Sequence, residues 1–410
     1  MKLKNHMAEV KPKIQSFARI KVLGIGGSGT SAVNRMTELG IKGVEFIAIN
    51  TDAQALHNNH ADIKVHIGKG ITKGLGSGMN PELGRQAAEE SIEELEDVVD
   101  NADMVFLTCG LGGGTGTGAA PIVAELAKNK GILTVALVTK PFTFEGSKRK
   151  EVAEAGYDNL KDKVDAIIAV HNDRILQIID KKTSLIDAFK TVDEVLRQGI
   201  AGISDLITTH GLVNADFADI KSIMQDAGTA MMGIGRASGE NRAQEAAKLA
   251  INSPLLDMSL DGAKGVLFNI TGGRDLGMFE IDEAAKVITK NIDPDAKVKF
   301  GAVVDDSMGD EIRITVIATG FEGSNRASGG IMPGFEEPKK SILNPSFFSS
   351  PASAPQNQQA PHSEARKPLF NPQPAQPKTS SQAFQAPAQQ KQEQTDDELE
   401  IPAFIRKKMK

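Results

Sequence analysis

The sequence predicts an α/β protein: a parallel-sheet domain, a long central helix, a smaller α+β second domain and a disordered C-terminal tail. Three observations carry the prediction. Apolar runs of strand length alternate with helical patterns from Arg19 to about Val170, three glycine-rich loops punctuate that alternation, and 12 of the 18 prolines lie beyond Gly330. Alternation of this kind implies parallel strands covered on both faces by helices. Proline among Gln, Ser and Ala, with few aliphatic residues, cannot bury enough apolar surface to offset the entropy of ordering.

The strands read in order as RIKVLGIG, VEFIAIN, IKVHIG, ADMVFLTCG, ILTVALVT and DAIIAV. Between them, Asn80-Pro81-Glu82 opens a helix, with Asn as cap and Pro at the first helical position. Ala119 to Lys130 forms another, with Ile122, Val123 and Leu126 on one side and Gly131 ending it. SLIDAFKTVDEVLRQGIA at 184–201 is a long helical pattern. Beyond it, GVLFNITGG, AKVKFGAVVDD and DEIRITVIATG read as strands, with helices near 240–252 and 280–290. The expected division is an N-terminal extension 1–18, a first domain 19–183, a central helix 184–205, a second α+β domain 206–320, a disordered linker 321–395 and a terminal peptide 396–410.

Composition narrows the function classes. A chain of 410 residues holds two or three domains with proper cores. Its net charge is −6, and no Lys/Arg cluster interleaved with aromatics occurs in the globular part, so nucleic acid is not an expected partner. One cysteine, Cys109, excludes an internal disulfide framework and suits a reducing compartment. No run approaches the roughly 18 apolar residues of a membrane span, and no leader is evident, so the expectation is a cytoplasmic protein without membrane insertion.

The segment CGLGGGTGTGAA, starting at Cys109, puts six glycines into nine residues between a buried strand and an amphipathic helix. Glycine is entropically costly, and a mere linker does not belong at that place. A strand-to-helix turn is where anions bind, because free N–H groups point outward and no side chain blocks approach. Two more such loops occur, GIGGSG at 24–29 and GLGSG at 74–78. GxGxxG alone suggests a dinucleotide dehydrogenase, with Asp52 as its acidic partner, but three loops imply a polyphosphate. A Walker lysine loop occurs nowhere.

GGGTGTGAAP at 112–121 resembles the signature of the tubulin and FtsZ superfamily. NTDAQAL, GITKGLGSGMNPELGR, VTKPFTFEG, NADFAD and the terminal IPAFIRKK are similar to its bacterial cell-division GTPases, from about Arg19 to Thr319 and again at the last dozen residues. Thr30, Ser31 and His171 depart from the usual pattern. The resemblance implies that GTP or GDP, with Mg²⁺, binds to the first loop at Gly27, Ser28, Gly29, Thr30 and Ser31. It implies further contacts from Ser77 and Gly78, near the γ-phosphate, and from Gly113, Gly114, Thr115, Gly116 and Thr117. Glu145 and Arg149 resemble the pair on the ribose and phosphate side. Asp193 stands where the family contacts guanine, whose N1–H and N2–H₂ suit a carboxylate. Phe189 would stack on the base, unless it is a core aromatic, and Asn172 would meet its edge.

Asp216 and Asp219 lie three apart, on one face of a helix start, an arrangement also common in simple capping. By resemblance NADFAD is the loop that completes catalysis on the neighbouring subunit's nucleotide, which makes Asp216 and Asp219 the catalytic candidates and the protein a head-to-tail homopolymer. A filament protein without turnover is the alternative those two carboxylates argue against. Ile401, Phe404 and Ile405 follow acidic residues at helical spacing. They resemble the family's peptide for membrane-tethering division proteins, with assembly at midcell.

Overall fold

The computed structural model describes residues 18–321, apart from 181, 210, 257, 258 and 291. The expected extension (but for Ala18), linker (but for Phe321) and terminal peptide lie outside the described residues. The first six strands form where the apolar runs place them: β1 Ile20–Ile25, β2 Val44–Asn50, β3 Ile63–His66, β4 Met104–Gly110, β5 Leu133–Lys140 and β6 Ala166–His171. A seventh, β7 Gly228–Ser238, follows. Then come β8 Gly265–Gly272, β9 Lys297–Val304 and β10 Glu311–Thr319.

These strands form one ten-stranded sheet in the order β3-β2-β1-β4-β5-β6-β7-β10-β8-β9. Strands β3 to β7 in that order are parallel, whereas β10 runs antiparallel to both β7 and β8. Strand β7 was not expected from the sequence, because GTAMMGIGRAS carries three glycines and no clean alternation. Its glycines have a packing reason: a Cβ at Gly233 or Gly235 would lie 2.0 Å from the Ala250 or Ala246 carbonyl oxygen of helix Arg242–Ile251. The strand joins the two halves. Residues 228–230 pair with β6, and 231–238 pair with β10.

Two cores cover the first half of the sheet. One lies beneath the long helix Leu185–Thr208, with Val22, Phe46, Phe106 and Leu137 among its members. The other gathers Leu23, Ile25, Leu107 and Val138 with Ala119, Ala120, Val123 and Ala124 of helix Thr115–Asn129. That helix begins four residues before the expected Ala119, so the second half of the glycine loop is its first turn. Gly131 has φ +72° and ends the turn after it, as read from the sequence.

Strand order reverses between β1 and β4. Chain leaves β1 toward β2 and leaves β4 toward β5, so a crevice opens at their carboxyl ends, where ligands bind in sheets of this kind. Both loops, at 24–29 and at 110–118, rise from those two strand ends.

Candidate functional site

A cavity of about 280 Å³ opens at that crevice. It brings together Gly27, Ser28, Ser31, Glu145, Arg149, Asn172, Phe189 and Asp193, eight of the residues expected from the sequence and drawn from four separate segments. Gly110, Leu111, Thr139, Pro141 and Val192 complete the lining. Thr139 and Pro141 sit in the VTKPFTFEG segment, a signal present in the sequence but not read residue by residue.

The two loops hold each other by backbone contact. A Cβ at Gly26, whose φ is +73°, would fall 2.7 Å from the Gly116 nitrogen, and one at Gly29 would fall 2.3 Å from the Thr108 carbonyl oxygen. Gly27 and Gly113 differ: a Cβ would meet nothing within 4 Å at the first, and only the Gly110 oxygen at 3.9 Å at the second. So most glycines allow the loops to pack, and these two leave open space at the helix starts. Helix Gly26–Glu38 and helix Thr115–Asn129 both aim their first N–H groups there. A polyphosphate fits this cradle, since its acceptor oxygens match the N–H groups that a helix start leaves without an intrahelical partner.

Several expected contacts take other places. The Thr30 hydroxyl donates to the Gly26 carbonyl at 2.8 Å, and Gly29 and Thr30 are buried beneath the helix start. The Thr117 hydroxyl accepts from the Gly112 N–H at 2.9 Å and so braces the loop from within. Thr115 is buried and shares its hydroxyl with Ser77 at 2.8 Å and with Thr51 at 2.7 Å. Thr51, in NTDAQAL, was missed. Gly78 and Met79 follow with φ +54° and +60° on an exposed turn. Asp52 caps helix Ala53–His57, its Oδ1 accepting from the Gln54 and Ala55 N–H groups.

At the cavity's other end, Glu145 and Arg149 form an ion pair at 2.7 Å, and Glu145 also accepts from the Phe142 N–H at 2.9 Å. The buried Arg149 Nε and Asn172 Oδ1 have no partner among the described residues, which is costly without a ligand. Phe189 is 42% exposed and meets Phe142 edge-on at 5.6 Å, so it stands at the rim and is no core aromatic. Asp193 has no hydrogen-bond partner among the described residues, and burial pushes its carboxyl up to about 6, against the pull of Arg35. A half-buried carboxylate facing a cavity is where two adjacent N–H donors would bind.

Asp216 and Asp219 lie elsewhere. Asp216 is the N-cap residue of helix Phe217–Met224, yet its carboxylate makes no cap hydrogen bond and is exposed. Capping therefore does not account for it. Asp219 pairs with Lys299 of β9 at 2.9 Å. Lys221 of the same helix reaches the Gly131 carbonyl at 3.4 Å, just before β5 begins, whereas the cavity takes Thr139 near the end of β5. That strand is eight residues long, about 25 Å at its usual rise. The acidic pair thus sits at the opposite end of the strands from its own cradle. Among the described residues no cluster of three or more His, Cys, Asp or Glu forms a metal cage. Mg²⁺ does not require one, because it is commonly held by phosphate oxygens, hydroxyls and water.

A parallel sheet whose glycine loops and long helix Leu185–Thr208 line one cavity at the strand ends is the arrangement of a tubulin-like GTPase. Comparison with known proteins agrees. Residues 19–180 match the Tubulin/FtsZ family, GTPase domain, and residues 228–322 match the FtsZ family, C-terminal domain. An FtsZ dimer from M. jannaschii is 45% identical over 75% of this chain and 90% of that one, with a TM-score of 0.73; a point mutant of FtsZ from M. jannaschii matches at the same identity and TM-score, over 75% of this chain and 92% of that one. CetZ2 from Haloferax volcanii, in a GTPγS-bound protofilament, shares the fold at 21% identity and a TM-score of 0.64, over 75% of this chain and 95% of that one. The chain belongs to the Tubulin/FtsZ family; it is a GTPase that binds GTP and GDP and self-associates into filaments.

Proposed function

We propose that this protein polymerises head to tail into the filaments of a cytokinetic ring at a bacterial division site, and that each GTP is hydrolysed at a subunit junction. The carrying observation is the separation of cradle and carboxylates: Asp216 and Asp219 stand at the strand ends opposite the cavity, so only a neighbouring subunit can present them to a bound γ-phosphate. A head-to-tail contact is heterologous and need not close, which yields filaments. Hydrolysis then needs positioning, charge neutralisation by Mg²⁺ on the phosphate oxygens, and one group that orients water. Asp216, exposed and spared from capping, suits that role, and Asp219, held by Lys299, suits support beside it.

On this reading residues 19–183 hold the nucleotide, 184–205 connect and 206–320 supply the acidic loop. The chain after 320 acts as a spacer to the peptide 396–410, which engages membrane-tethering division proteins on the cytoplasmic face at midcell. Among the described residues no helix is long and apolar enough to cross a membrane.

Asp216→Ala or Asp219→Ala should bind GTP like the parent while turnover falls by roughly a hundredfold or more. Parent specific activity should rise with protein concentration. A Gly112→Ser subunit mixed with Asp216→Ala subunits should regain hydrolysis. Specific activity independent of concentration, with no recovery on mixing, overturns the shared site.

A further inference from the structure

We propose that a polar cavity between the C-terminal end of helix Leu185–Thr208 and strands β8 to β10 is a second anion site, which takes the phosphate group of a small solute on Arg313, Lys42 and Thr271. It shares no lining residue with the nucleotide cavity, and no part of it rests on the filament reading.

The register of the sheet gathers the charge. Arg313 of β10 stands directly opposite Arg236 of β7 on one side and Thr271 of β8 on the other. Residues in such a row share one face of the sheet, and like charges directly opposite are destabilising. Burial first, then Arg236 and Arg197 of the long helix, lower Arg313 from its ordinary value. Arg197 is matched, giving two N–H groups to Glu194 at 2.7 and 2.6 Å. Arg236 and Arg313 are not: neither guanidinium has a hydrogen bond or ion pair among the described residues. A half-buried cation held against a second one, with no acceptor from the protein, calls for an anion.

Arg313 lines a cavity of about 470 Å³ together with Thr271, Lys42 from the loop before β2, and Asp205 and Thr209 at the helix end. Two further acids on its wall are already engaged. Asp306 gives both oxygens to Arg274, at 2.7 Å each, and Asp305 Oδ1 accepts from the Ser307 N–H at 3.0 Å and its hydroxyl at 2.6 Å. Asp205 meets only the Thr209 hydroxyl, at 3.5 Å, and burial raises its carboxyl, so an arriving anion drives it to take up a proton and become a donor. What is left unspent is the Arg313 guanidinium, the Lys42 Nζ and the Thr271 hydroxyl, none of which has a partner among the described residues. These donors reach the cavity from two strands and a loop, an arrangement that tetrahedral oxygens meet better than a planar carboxylate. Two cations against one raised acid, with Arg236 behind them, suit a dianion. The volume is that of a small-molecule pocket and leaves room beyond the phosphate itself.

The test uses the full chain loaded with GDP, so that the nucleotide cavity is filled, with calorimetric titration of inorganic phosphate and of glycerol phosphate at constant ionic strength. Arg313→Gln should weaken binding roughly tenfold or more, and Lys42→Ala and Thr271→Val roughly threefold each, with GDP affinity unchanged in all three. Without phosphate, Arg313→Gln should melt no lower than the parent, because it gives up a like-charge contact and no bond; phosphate should raise the melting temperature of the parent and leave that of the variant unmoved. Binding of inorganic phosphate alone names the free ion as the ligand, and tighter binding of glycerol phosphate names a phosphorylated metabolite; both uphold the site. No saturable phosphate binding, or equal binding by parent and Arg313→Gln, overturns it. So does an Arg313→Gln protein that melts well below the parent without phosphate, since the guanidinium would then be holding the fold.

Discussion

Replacing Asp193 by Asn should make the nucleotide-free protein more stable and its nucleotide complex weaker. In the free protein the carboxyl is half-buried, faces the cavity without a hydrogen-bond partner, and is raised from an ordinary 3.8 to about 6 by burial. A raised acid contributes stability that is complete below about 3.8 and lost as pH climbs through about 6, so at pH 7.5 the ionised group is a burden. At full weight that difference is about 3 kcal/mol; partial solvent access reduces it to about 1–2 kcal/mol. Asn keeps the shape and removes the charge, so nucleotide-free melting at pH 7.5 should rise by a few degrees, with no gain at pH 4. Binding moves the other way. Guanine's N1–H and N2–H₂ would face an amide in place of a carboxylate, and losing charge-assisted hydrogen bonds of about 1.5–3 kcal/mol each should weaken GTP by roughly 10²-fold or more. Parent affinity should also fall as pH drops through about 6, where Asp193 takes up its proton, while the variant's affinity stays flat. Thermal melts at both pH values, with fluorescent-GTP competition by GTP, GDP and ATP, read all of this. A variant that melts lower at pH 7.5 without nucleotide, or that keeps its preference for GTP over ATP, would refute the assignment.

Three further outcomes are expected. Gly27→Ala should fold normally, since its Cβ meets nothing, yet bind GTP less well because the methyl enters the cradle; Gly29→Ala, 2.3 Å from the Thr108 carbonyl, should lose about 1–3 kcal/mol in a denaturant melt. Phe189→Ala removes a rim aromatic, so unfolding should change by under about 1 kcal/mol while nucleotide affinity falls roughly tenfold or more from lost stacking, as read by equilibrium binding. Deleting 396–410 should leave GTP turnover and filament sedimentation near parental and abolish capture by membrane-anchored division proteins on vesicles; lost turnover would place that peptide in the core.

Much of this protein was legible in its residues. The six apolar runs became β1 to β6, Asn80 caps its helix by accepting from the Glu82 N–H, and Gly131 ends the helix before β5, because strand period, cap chemistry and left-handed φ are local properties. The glycine loops announced a phosphate cradle for the same reason. Strand β7 escaped, since its three glycines answer to helix Arg242–Ile251, which lies close only in the folded chain. Roles within the loops also waited for tertiary structure: Thr30 spends its proton inward, Thr117 braces Gly112, and Thr115 joins Thr51 and Ser77 across 64 and 38 residues of sequence. The capping reading of Asp216 was open on sequence alone, because an acidic N-cap looks the same whether or not its oxygens bond. What the fold decided was distance. Parallel strands carry one end of every β-α unit to the cavity and the other about 25 Å away, and that separation, invisible in linear spacing, keeps Asp216 and Asp219 away from the cavity of their own subunit.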